Sequence, residues 1–104
     1  MAQFDVYVND ELESQGLIPF LLDVQHDLHD SLLTRVVVPL VTVSSPADIV
    51  VKLCPTFKIS GKEVFMSTPE MAGYPARDLG HRVGSLAENR DEILAAIDFL
   101  LNGF

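Results

Sequence analysis

A β-rich α+β fold is expected from three features of this sequence. Short alternating or β-branched apolar runs recur through most of the chain. Gly, Pro and small polar clusters separate them, and one strongly periodic helical segment stands at the C-terminus.

The elements follow in order. Phe4–Val8 alternates as a short strand does, with Phe4, Val6 and Val8 on one side. Asn9–Gly16 is polar and ends in Gly, so it reads as a connection. Leu17–Val24 is apolar but carries Pro19, so it forms a strand only where Pro19 owes no ladder hydrogen bond. Arg35–Val43 is the densest β-branched run, and Pro39 within it marks an edge or a bulge. Ser44-Ser45-Pro46-Ala47-Asp48 suits a turn or a single helical turn, with Ser45 as cap and Pro46 first in the helix. Pro55–Ile59 and Glu63–Ser67 flank Ser60-Gly61-Lys62, a hairpin in which Gly61 supplies the positive φ. Thr68–Pro75 reads as a capped turn closed by Pro75, with a last short strand expected around Arg77–Leu79. Gly73, Gly80 and Gly84 read as turn residues.

The C-terminal helix is the clearest element. Ser85-Leu86-Ala87-Glu88 fits a capping box. Ile93, Ala96, Ile97, Leu100 and Leu101 then recur at helical spacing, and Leu94 and Phe99 widen the apolar face beyond one stripe. Such a helix is expected to meet a second surface as well as its own core. Gly103 stands where a left-handed cap belongs, with Phe104 after it.

Composition bounds the function. The chain has 104 residues, a size suited to one domain that buries more than ~60% of its unfolded surface. With 48% apolar residues it has material for a core. Seven Lys+Arg against 15 Asp+Glu give a net charge of −8, and the basic residues are scattered, which argues against gripping a nucleic-acid backbone directly. The single Cys54 excludes an internal disulfide. Met1–Asp5 has neither the basic start nor the apolar stretch of a signal peptide, and no apolar run nears the ~18 residues of a membrane span. A cytoplasmic protein with protein partners is expected.

Candidate chemistry is sparse. Asp23, His26, Asp27, His29 and Asp30 place five metal-capable groups within eight residues. Nothing makes the segment helical enough to converge them, so a strand running into an acidic loop is the better reading. Cys54, between Leu53 and Pro55, reads as a small buried hydrophobe rather than a nucleophile. Asp91 and Glu92 suit the positive end of the helix dipole. No phosphate loop, nucleophile elbow or dinucleotide fingerprint is present, so neither a cofactor nor an enzyme is expected. What stands out is an aromatic residue beside the end of the helix, a residue type that anchors protein interfaces.

Several segments together resemble one family. Gln3-Phe4-x-Val6-Tyr7, Asp23-Val24-Gln25-x-Asp27 and Arg35-x-Val37-x-Pro39-Leu40 are similar to the CcdB toxins of bacterial toxin–antitoxin modules. Leu53-x-Pro55, Met66-x-Thr68-x-x-Met71-Ala72-x-x-Pro75 and the ending Ile93…Ala96-Ile97…Gly103-Phe104 continue the likeness in order. The resemblance implies an SH3-like, partly open antiparallel β-barrel with a small extra sheet and a C-terminal helix, assembled as a homodimer. It implies binding to the DNA gyrase A subunit and trapping of gyrase on cleaved DNA. It further implies neutralisation by a CcdA antitoxin and joint repression of the operon, with operator DNA held only through the antitoxin.

By the same resemblance, the gyrase contact centres on Asn102, Gly103 and Phe104, flanked by Leu101 and Asp98, with Leu28 and His29 matching an apolar pair in the loop after the Asp23 motif. The best-known family pattern has Trp at the position of Asn102, an aliphatic residue at His29 and Ile at Phe104. These departures bear on which gyrase is recognised. Two alternatives share the barrel. One is a MazF-like endoribonuclease, which would need a cationic patch such as Arg77, Arg82 and Arg90. The other is a CcdB-like protein that binds antitoxin without poisoning gyrase.

Overall fold

The computed structural model describes residues 1–44 and 52–103. Among these residues seven strands and one α-helix follow in order: β1 (Asp5–Val8), β2 (Phe20–Asp23), β3 (Thr34–Thr42), β4 (Thr56–Ile59), β5 (Lys62–Met66), β6 (Ala72–Pro75), β7 (Arg82–Ser85) and α1 (Arg90–Asn102). All pairings are antiparallel, in the order β4-β5-β3-β2-β1-β7, with β6 branching from β3. This is a curled half-barrel closed off by a helix, the expected β-rich α+β fold. Its smaller sheet is joined to the larger through β3, whose first half pairs with β6 and whose second half pairs with β5.

That branch explains Pro39. Leu21 is its partner on β2, and its carbonyl accepts from Ser67 N–H at 2.9 Å on the opposite side. The nitrogen of a strand residue faces the same way as its carbonyl. Pro39 therefore directs its missing donor at the seam where β6 has ended and β5 begins. The interior of a long central strand holds a local edge there.

Both faces of β1–β3 are buried. One carries the main core: Val6, Phe20, Leu22, Val38 and Leu40, met by Val64 and Met66 of β5 and by Ile93 and Ala96 of α1. The opposite parity carries Tyr7, Leu21 and Val37, but also Asp5, Asp23 and Arg35. Asp5 and Tyr7 thus make β1 buried on two sides rather than the one-sided strand its alternation suggests.

Local signals are met with some shifts. The hairpin loop is two residues, Ser60 (φ 49°) and Gly61 (φ 82°), with Ile59 opposite Lys62. Both φ values are positive, as in the mirror-image turn that matches strand twist. Asn tolerates that conformation better than Ser, so Ser60→Asn is expected to raise stability by about 0.5 kcal/mol, read as a higher urea midpoint.

The capping segment acts earlier than expected. Ser85 Oγ accepts from Ala87 N–H at 3.1 Å, and one 3-10 turn over Ala87–Asn89 intervenes before α1 begins at Arg90. Arg77–Leu79 is not a strand. Ala76–Asp78 forms a 3-10 turn, and the strand lies five residues later at Arg82–Ser85, where β1 offers an edge. Gly73 and Gly84 sit in β6 and β7 rather than in turns. Gly80 lies in a connection, where a Cβ would run into the Val8 carbonyl oxygen. The expected turn over 45–48 lies outside the described residues. No helix among the described residues is long and apolar enough to cross a membrane.

Candidate functional site

The loop between β2 and β3 is held by its own sequence motif. Arg35, fully buried, binds Asp23 Oδ2 through Nε at 2.9 Å and Nη2 at 2.8 Å. Its Nη1 reaches Asp30 at 2.9 Å, and Nη2 also donates to the Gln25 carbonyl at 3.0 Å. Gln25 spans the loop: its Nε2 donates to the His29 carbonyl at 2.9 Å, while its Oε1 accepts from Val36 N–H at 3.0 Å. Asp27 accepts from Gln3 N–H at 2.7 Å, and Gln3 Nε2 donates to the Val24 carbonyl at 3.1 Å. Gln3 Oε1 takes a bond from Arg90, whose guanidinium also lies 5.7 Å from the centre of the Phe4 ring. Asp23, Gln25 and Asp27 thus each have a separate structural task, and the network runs from the loop to the start of α1.

The network holds the loop that carries Leu28 and His29. Leu28 and His29 lie in a one-turn 3-10 helix over Asp27–His29, both exposed, with Leu28 at 79%. Burial lifts the Asp23 carboxyl above its ordinary value, while Arg35 and the Gln25 N–H pull it down. Desolvation outweighs what the guanidinium returns, so the pair is better understood as fixing geometry than as adding stability.

The second part of the site is the end of α1. Ile93 and Ala96 are fully buried, Ile97 and Phe99 half-buried, and Leu101 is 66% exposed. The apolar stripe leaves the core as the helix advances. Gly103, at φ 80°, caps the helix with its N–H on the Phe99 carbonyl at 2.9 Å, and Asp98, Asn102 and Gly103 are exposed. Asp98, Leu101, Asn102 and Gly103 are gathered on the final turns of one helix. Leu28 and His29 are carried separately, on the clamped loop. Phe104 lies outside the described residues.

Sequence reading alone missed the roles of Gln3, Gln25 and Arg35. A visible signal was the pairing of Asp23, at the end of an apolar run, with Arg35, at the head of a valine-rich one; neither charge belongs there unpaired. A second polar cluster flanks them. Asp5 accepts from Arg82 Nε at 3.0 Å and from the Tyr7 hydroxyl at 3.4 Å. Burial, then the charge of Asp5, pushes the Tyr7 phenol up to about 12 from its ordinary 10. Because the folded state holds this proton more tightly, its contribution to stability is complete below pH 10 and is lost as pH rises through about 12. The chain has no tryptophan, so alkaline absorbance titration will resolve a phenolate step near 12, and denaturation will ease over the same interval.

Other candidates are accounted for by these contacts. Asp23 and Asp30 are engaged by Arg35, His26 Nδ1 accepts from Leu28 N–H at 2.9 Å, and no three metal-capable groups converge among the described residues. Cys54 is buried. Of the three arginines offered as a cationic patch for RNA, Arg82 faces Asp5, Arg77 lies 3.9 Å from Asp78, and Arg90 reaches Gln3.

Compared with protein families, residues 3–103 match the family model described as CcdB protein. No curated protein matches the chain.

Proposed function

Because the chain belongs to the CcdB family, the toxin side of toxin–antitoxin pairs, we propose that it poisons DNA gyrase. The protein binds the gyrase A subunit as a homodimer and holds the enzyme on cleaved DNA. A CcdA antitoxin neutralises it, and the two together repress their operon, the antitoxin contacting the operator. The toxin breaks no bond itself; gyrase supplies the chemistry, in the cytoplasm.

The observation that carries this reading is the end of α1, where Leu101, Asn102 and Gly103 stand exposed on a helix whose earlier stripe is buried. An apolar group presented on a rigid, capped helix loses little entropy when a partner covers it. Leu28 and His29, on a clamped loop, are preorganised in the same sense. The net charge of −8 suits a protein that acts on DNA through a partner rather than by touching it.

The test is a cleavage assay. Purified protein added to gyrase from its own host and supercoiled DNA is expected to accumulate protein-linked double-strand breaks. Absence of a stabilised cleavage complex over a range of toxin concentrations would overturn the proposal.

A further inference from the structure

We infer that the loop bearing Leu28 and His29 contains an acid-sensitive clamp, in which protonation of His26 releases the Leu28 N–H and loosens the turn. The observation is the unusual identity of the cap. His26 precedes the 3-10 helix Asp27–His29 in extended conformation (φ −63°, ψ 143°), and its Nδ1 accepts from Leu28 N–H at 2.9 Å. Helix caps of this kind are ordinarily Ser, Thr, Asp or Asn, whose oxygens accept at any pH above the carboxylate range. An imidazole nitrogen accepts only while it is unprotonated. Adding a proton to Nδ1 sets two N–H donors head to head, so the bond is replaced by repulsion and the ring must turn away.

The consequence is local because the loop ends are tied independently. Arg35 binds Asp23 and Asp30, Gln25 Nε2 holds the His29 carbonyl, and Asp27 accepts from Gln3 N–H. The titratable groups on the same loop are Asp27, His29 and Asp30, while Asp23 of β2, Arg35 of β3 and Arg90 of α1 belong to the network that ties the loop. Asp23 and Asp30 face Arg35, and Asp27 faces the N-terminal segment. Within that frame, protonation frees the Leu28 N–H alone: the His29 N–H keeps its bond to the His26 carbonyl at 3.0 Å, and β2 and β3 stay in place.

If the loop meets gyrase, as the proposed function has it, acidification will weaken that contact; the structural test does not depend on it. Amide and imidazole NMR signals of the full chain are followed from pH 8 to pH 5 in the wild type, His26→Asn and His29→Asn. Asn caps by accepting through its side-chain oxygen but does not titrate. In the wild type the Leu28 amide should shift with the midpoint of the His26 ring, and its exchange protection should fall about fivefold, the worth of a typical cap. His26→Asn should hold Leu28 protected across the range, while His29→Asn should keep the pH dependence. A Leu28 amide indifferent to the His26 titration, or one that still follows pH in His26→Asn, overturns the inference. Failure of gyrase binding with an intact Leu28 titration would instead count against the function alone.

Discussion

Asp23→Ala is expected to cost about 3–5 kcal/mol, because it leaves the fully buried Arg35 guanidinium without its main counter-charge. Against the ~5–15 kcal/mol that separates a small domain from unfolding, that brings the variant close to melting at ambient temperature. Asp30→Ala provides the contrast. It removes a bond to the same guanidinium, but Asp30 is half in water, so its loss should cost under about 1 kcal/mol. Urea midpoints for the two variants check the ordering, and equal losses would show that the buried pair does not hold the loop.

The double variant Asp23→Leu/Arg35→Met separates stability from function. Burial already disfavours the charged Asp23, so replacing both charges by apolar side chains should recover most of the stability lost in the single variant. It should not restore the loop, since Asp30 and the Gln25 carbonyl lose their shared anchor and Leu28 and His29 lose their fixed presentation. A well-folded double variant with weakened gyrase poisoning is the expected outcome. Full activity would mean that the loop contributes little to gyrase binding.

Deleting Phe104 is expected to abolish gyrase poisoning and leave the fold unchanged. The helix it follows is already terminated by the Gly103 cap, and its buried anchors, Ile93 and Ala96, lie more than a turn earlier. Loss of an aromatic anchor at an interface costs 2 kcal/mol or more, roughly a thirtyfold loss of affinity. Thermal melting should be unaltered while cleavage-complex formation disappears. Asn102→Trp is the converse variant: it adds stacking surface at an exposed position of the last helical turn and is expected to tighten gyrase binding severalfold. A truncated protein that still traps gyrase would move the contact away from the helix end.

The parts of the fold legible in the sequence are those that neighbouring residues impose. The Ser60-Gly61 turn, the valine-rich β3, the periodic α1 and its Gly103 cap each follow from local φ preference or from side-chain periodicity. Strand β6 was not legible, because Ala72-Gly73-Tyr74-Pro75 has little intrinsic β preference and is extended only because β3 lends it an edge. The misplaced last strand has the same cause: Arg82–Ser85 is a strand because β1 pairs with it, across a register shift at Val6 and Tyr7.

The candidate site divides along the same line. The order of the motif residues suffices to place the chain in its family. That Gln3, Asp23, Gln25, Asp27 and Arg35 form one clamp was decided only by the tertiary structure. Its bonds join Arg35 to Asp23 and Gln3 to Asp27, 12 and 24 residues apart, and it is the burial of Arg35 that compels Asp23, Asp30 and the Gln25 carbonyl to face it. Periodicity can state which side of a strand a residue takes. Which charge it meets there depends on strand pairing and on the absence of water, and neither is a property of local sequence.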